Sequence, residues 1–189
     1  MLRLFVAIAI PAALRPRLSM LQGGVPGARW TNPADFHLTL RFIGEVDTLE
    51  AEEIDEALHA IAAPGFSLAL DGVGQFGSRR AASTLWAGVA AEPALHFLHA
   101  KVDRALVAAG QPPDDRAYAP HVTLARLRDA PVERVGRWLQ EHGLFRADPF
   151  PVDAFHLYQS HVGREGAVYE ILESYPLTAP ERPAPSPGA

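Results

Sequence analysis

The feature that most constrains this chain is a four-residue pattern that occurs twice. His37-Leu38-Thr39-Leu40 and His121-Val122-Thr123-Leu124 both read His-x-Thr-Leu. With 8 His in 189 residues, composition alone predicts about 0.03 such occurrences, so two are not accidental. Phe66 follows His37, and Phe150 follows His121, at the same 29-residue interval, and each phenylalanine opens a strand-like run. Both motifs therefore fall in the same strand–helix–strand–strand context. Matched halves of this kind predict two similar lobes facing each other across a cleft.

The remaining pattern alternates strands and helices. Residues 2–10 form a continuous apolar run that ends at Pro11, which predicts a buried strand. A helix is expected over 12–22, a strand with period-two alternation over 36–43, and a helix over 48–62 with Thr48 as N-cap. Strands near 66–73 and 84–90, a helix at 93–109, a strand at 120–127 and a helix at 131–142 follow. Strands near 150–160 and 167–173 complete the domain, expected to span 1–177. Residues 178–189 hold four prolines and no apolar period, which predicts a disordered tail.

Composition narrows the function. No apolar run reaches the roughly 18–20 residues a membrane span needs, so no membrane partner is expected. The apolar start lacks the flanks of a secretory signal, and the absence of cysteine excludes disulfides, thiolate metal sites and a Cys nucleophile. A cytoplasmic location and a monomer are the expectations. A net charge of −5 argues against tracking a long nucleic-acid backbone, though not against a pocket for one phosphate.

On a strand, residues i and i+2 share a face. His37 and Thr39 then point one way, as do His121 and Thr123, while Leu38, Leu40, Val122 and Leu124 face the core. Two opposed imidazoles serve as general base and general acid near neutral pH, and two hydroxyls donate to phosphate oxygens. Such a set suits in-line displacement at a phosphodiester. No carboxylate cluster accompanies either motif, so neither a metal nor another cofactor is expected.

The motifs and their surroundings resemble the 2H phosphoesterases, and within them the RNA 2′,3′-cyclic phosphodiesterases, also called 2′-5′ RNA ligases. The resemblance covers residues 1–177 and rests on Arg3-Leu4-Phe5-Val6-Ala7-Ile8, Trp30, the run from Phe36 to Val46, Leu85-Trp86-Ala87-Gly88-Val89, the run from Pro120 to Arg126, and Leu157-Tyr158-Gln159-Ser160. It implies an α+β fold, a bilobal pseudo-two-fold arrangement of two antiparallel sheets with helices outside. It also implies hydrolysis of an RNA-terminal 2′,3′-cyclic phosphate to a 2′-phosphate. His37 is the implied general acid on the 3′ oxygen and His121 the implied base, with roles exchanged in the ligation direction; the pairing is firmer than the assignment. Thr39, Thr123 and Arg126 are the implied phosphate ligands. Strict alternation turns Arg126 away from His121 and puts Arg41 on the face of His37. A bulge before Arg126 would reverse that, and Arg41 is the second choice.

Among further candidates, Tyr158 and Ser160 share a face with His156 and could touch a ribose or base, and Phe42 or Trp30 could stack on one. His96 and His99 have the spacing of a metal pair, but packing is the default, as a solvated loop is for Arg79 and Arg80. Alternative functions are hydrolysis of another small cyclic nucleotide and a non-catalytic module that binds nucleotides or RNA ends. Lys101, the lone lysine, has no nucleotidyl-transfer motif, so ligation would be the reversal of hydrolysis.

Overall fold

Leu4 to Ile8 is apolar without interruption, and a strand so composed must be covered on both faces. The computed structural model describes residues 1–78, 81–163 and 166–179. In it β1 (Leu2–Ala9) lies inside the sheet, and none of Leu4 to Ile8 is more than 2% exposed. Leu4, Val6 and Ile8 join the main core, while Phe5 and Ala7 face the other way and pack with Tyr158.

A 3₁₀ turn (Ala12–Leu14) then runs into α1 (Arg15–Ser19), shorter than the expected helix. There follow β2 (Ala28–Trp30), a second 3₁₀ turn (Pro33–Asp35), β3 (His37–Val46), α2 (Thr48–His59), β4 (Phe66–Ser78) and β5 (Ala81–Val89). The chain continues with α3 (Pro93–Ala108), β6 (His121–Leu127), α4 (Val132–His142), β7 (Arg146–Val152), β8 (Ala154–Gly163) and β9 (Gly166–Pro176). The class is α+β. The N-cap of α2 is Asp47 rather than Thr48: its carboxylate accepts from the Glu50 amide at 2.9 Å, and Glu50 accepts from the Asp47 amide at 2.8 Å. This reciprocal box satisfies two amides that Thr48 alone would leave open.

All strand pairs are antiparallel, in the order β7-β4-β5-β6-β3-β1-β8-β9 with β2 on β6. The two expected sheets are thus two four-stranded halves of one hydrogen-bonded array. A single register pair, Leu38 opposite Val122, joins them between β3 and β6. Both residues are fully buried, so the seam is closed by core packing. Each half carries one motif, His37 on β3 and His121 on β6, but the strands that follow the motifs in sequence do not divide in the same way. Phe150 lies inside β7 and pairs with Leu68 of β4, so the two segments at equal intervals are neighbours in the same half. β7 carries Pro149 and Pro151, which lack amide donors and are tolerated because this strand is an edge.

The feature that shapes the site is a pair of matching bulges. Between β1 and β3 the register runs from Ala7–Thr39 to Val6–Arg41, leaving Leu40 as the extra residue. Between β5 and β6 it runs from Trp86–Thr123 to Leu85–Ala125, leaving Leu124 extra at the equivalent position. Each bulge puts two consecutive residues on the core face: Leu40 and Arg41 are 2% and 6% exposed, and Leu124 and Ala125 are 0% exposed. The next residue, Phe42 or Arg126, is thereby turned to the face of its histidine.

Thr178, expected in the tail, is held against the body. Its amide donates to the Ala63 carbonyl at 2.9 Å, and its carbonyl accepts from the Gly65 amide at 2.8 Å. Residues 180–189 lie outside the described residues, as do Arg79 and Arg80.

Candidate active site

In an antiparallel pair, facing residues lie about 5 Å apart. With Leu38 and Val122 opposed, the register sets His37 across from Thr123 and His121 across from Thr39. All four are half-buried on the face away from the main core. Each imidazole is fixed in the same way. The Nδ1 of His37 donates to the Asp35 carbonyl at 2.7 Å, and the Nδ1 of His121 donates to the Ala119 carbonyl at 2.7 Å. A carbonyl only accepts, so Nδ1 carries the proton in both rings and Nε2 is left to exchange one.

Burial lowers the pKa of both histidines below the ordinary 6.5. The carbonyl bonds oppose that shift, and the Arg126 charge adds to it for both rings. His121 also lowers His37, as expected for two ionisable groups in one site. Arg126 is exposed on the cleft side, and its Nη1 donates to Thr84 Oγ1 at 2.9 Å. Thr84, 1% exposed, stands directly opposite Arg126 on β5. No local signal marks this anchor, because its partner lies 42 residues away along the chain.

Arg41 does not reach this site. Its guanidinium is buried beneath β3, against Asp103 at 3.0 Å and Asp114 at 3.1 Å. The bulge at Leu40 carried it to the core face, so its assignment as a phosphate ligand is corrected. Phe42 occupies the cleft position equivalent to Arg126 and stacks on Phe5 at 6.3 Å. Phe5 also packs on Tyr158 at 5.0 Å and on the His37 ring at 4.9 Å, and Tyr169 meets His37 edge-on at 5.0 Å. Around His121 stand Phe76, edge-on at 4.7 Å, and Trp86 at 6.3 Å. The Trp86 ring lies over Gly74, where a Cβ would come within 2.2 Å of it.

A recess of about 270 Å³ opens beside His37, lined among others by Arg15, Asp35, Tyr158 and Tyr169. Ser160 is set opposite Tyr169 on the neighbouring strand. Trp30 packs on Trp138 instead of reaching the cleft, and His96 and His99 both lie against Tyr118. Phe5, Thr84, Phe76 and Tyr169 were not singled out from the sequence. Phe5 alone had a signal there, as an odd-numbered member of a strand buried on both faces.

Among the described residues, no group of three or more His, Asp or Glu side chains is placed to hold a metal ion, and no helix is long and apolar enough to cross a membrane. The family model of the 2′-5′ RNA ligase superfamily matches residues 12–164. The chain belongs to that superfamily. An RNA 2′,3′-cyclic phosphodiesterase of Aeropyrum pernix is 34% identical over 84% of this chain and 90% of its own length. One of Geobacillus stearothermophilus is 37% identical over 65% of this chain, but the match spans only 41% of that longer relative. Among solved structures, E. coli LigT complexed with 3′-AMP superposes with a TM-score of 0.76 at 28% identity, covering 94% of this chain and 98% of that one. The superfamily's antiparallel α+β architecture is therefore shared along almost the whole chain.

Proposed function

We propose that this protein hydrolyses the 2′,3′-cyclic phosphate at an RNA end to a 2′-phosphate, without a metal ion. The observation that carries the reading is the pair of imidazoles flanking one seam, each held by a carbonyl at Nδ1 with Nε2 left to act. One neutral Nε2 takes a proton from water as the water oxygen bonds to phosphorus. The bond from phosphorus to the 3′ oxygen breaks, and the second imidazole, protonated, gives that oxygen its proton. Thr39, Thr123 and Arg126 donate to the phosphate oxygens, where charge builds up.

The aromatic side of the cleft supports one assignment of the two roles. Phe5, Phe42, Tyr158 and Tyr169 gather around His37, and the recess beside it suits a nucleoside. The leaving oxygen belongs to that nucleoside, so His37 is the acid and His121 the base. Ser160, at the rim, is in reach of the ribose or a flanking residue. Because the contacts are to one terminal nucleotide, small 2′,3′-cyclic nucleotides are substrates as well. With a 5′-hydroxyl in place of water the same displacement gives a 2′-5′ linkage: the base takes the hydroxyl proton and the acid still protonates the 3′ oxygen, so the roles stay as in hydrolysis rather than exchanging.

The test is incubation with EDTA and an oligonucleotide ending in a 2′,3′-cyclic phosphate, with the product identified by mass and by phosphatase sensitivity. A 2′-phosphate is expected, with activity abolished by His37→Ala and by His121→Ala. A requirement for added metal, or activity surviving both single substitutions, would refute the mechanism. Binding without turnover would mark a nucleotide-binding module instead.

A further inference from the structure

The two histidines take their orienting bonds from segments of different character. The Asp35 carbonyl that holds His37 sits on a 3₁₀ turn closed by its own bonds. In that turn the Asn32 side chain accepts from the Ala34 amide at 3.0 Å, and the Asp35 amide donates to the Asn32 carbonyl at 2.8 Å. The Ala119 carbonyl that holds His121 sits on residues 109–120, which form no helix or strand. Irregular segments of that length inside a compact domain are uncommon and are usually functional.

This segment is tied to β3 from below by two residues. Arg41 donates to the Pro112 carbonyl, pairs with Asp114 at 3.1 Å, and faces Asp103 of α3 at 3.0 Å. Tyr118 donates to the Thr39 carbonyl at 3.3 Å, and the His99 ring stacks on its face at 3.8 Å. Arg116 adds a second charge to Asp114, whose carboxyl is held well below the usual range mainly by its hydrogen bond from Arg116. Asp103, Asp114 and Arg41 thus form one charged knot under the strand that bears His37 and Thr39. A buried arginine with two acidic partners is held in a fixed geometry, because moving it away from them would strand its own buried charge.

We infer that Arg41 is a positioning residue for His121: it anchors the 109–120 segment to β3 and so fixes the carbonyl that sets the His121 tautomer and direction. The inference rests on the two-histidine activity proposed above. Its spectroscopic test does not depend on turnover, so failure of either reading can be told from the other. Histidine tautomers are read by long-range ¹H–¹⁵N spectra of the ¹⁵N-labelled protein, alongside kcat and KM on a 2′,3′-cyclic nucleotide.

In Arg41→Ala the His121 signals are expected to change from one tautomer to a mixture, while those of His37 stay as in the wild type. The loss should appear in kcat, on the order of 10- to 100-fold, with KM within about threefold. Arg41→Lys, which keeps the charge but not the fork, should recover part of it. Asp114→Asn releases the segment without emptying the buried site, and is read the same way should Arg41→Ala fail to fold. Wild-type kcat and His121 signals in a folded variant would overturn the inference. So would His37 and His121 changing together in Asp114→Asn, since that is general loosening and not positioning.

Discussion

Replacing Arg126 with Gln probes the one member of the site that strict alternation places on the wrong face. In the structure its guanidinium is exposed to the cleft and anchored through one Nη1–H to Thr84 at 2.9 Å. A guanidinium has five N–H donors, so the others remain for a phosphate. A hydrogen bond to a charged group contributes about 1.5–3 kcal/mol, which converts to roughly a 10- to 150-fold loss in kcat/KM. A second consequence is independent of that loss. The Arg126 charge is one of the causes that lower both His37 and His121, behind burial. Because kcat/KM needs one imidazole neutral and the other protonated, its maximum lies between two values that are both below 6.5. Removing the charge lets both rise, so the bell-shaped profile should move to higher pH as its height falls. Initial rates on a 2′,3′-cyclic nucleotide across pH 4.5–8.5, with buffers of constant ionic strength, report both effects. A profile that stays in place or moves to lower pH, or a loss under about threefold, would show that Arg126 does not face the reacting phosphate.

The seam and the histidines also make predictions about stability. Leu38→Ala removes one of the two fully buried residues that join the half-sheets and should cost about 2–5 kcal/mol. At this chain length that lowers the melting temperature by about 5–15 °C; a calorimetric shift under 2 °C would show that the seam is not closed by packing. His37, His99, His121 and His156 are all lowered chiefly by burial, so the folded state takes up protons less readily than the unfolded chain. The stability these groups provide is present above the ordinary histidine value of 6.5 and is lost as pH falls through their lowered values. Urea midpoints should therefore drop between pH 7.5 and 5.5, and a rise on acidification would contradict the burial of these rings.

The proposed catalytic pair was legible because period two is a property of the chain itself. His37 with Thr39 and His121 with Thr123 need only a strand to share a face, and duplication removed the ambiguity of either motif alone. The two arginines were not, because bulges depend on what a neighbouring strand will accept. One trace was visible: Leu124-Ala125 puts two apolar residues in succession where alternation calls for a change of face. In the first motif the same trace is hidden, because the second inward residue is Arg41, which reads as polar and outward. Its acidic partners, Asp103 and Asp114, are far along the chain, so nothing local announces that it is buried. The extent of the repeat beyond the two motif strands misled for a similar reason. Equal spacing from His37 to Phe66 and from His121 to Phe150 describes chain length, while pairing of β4 with β7 is decided by which edge is open.

A pseudo-symmetric site has to break its symmetry to act on a nucleotide, which presents an anion on one side and an apolar ring on the other. Here the break falls at a single equivalent position, one residue beyond each bulge. Phe42 stands there on the His37 side, among Phe5, Tyr158 and Tyr169, and Arg126 stands there on the His121 side, held by Thr84. The core-facing residue before it is exchanged as well. Ala125 is small and packs directly, whereas Arg41 is long and is turned to tying down the segment that precedes His121. Identical bulges thus give one half its proposed phosphate ligand and the other its aromatic wall. The arginine lost to the cleft on the His37 side serves the histidine on the opposite side of the seam.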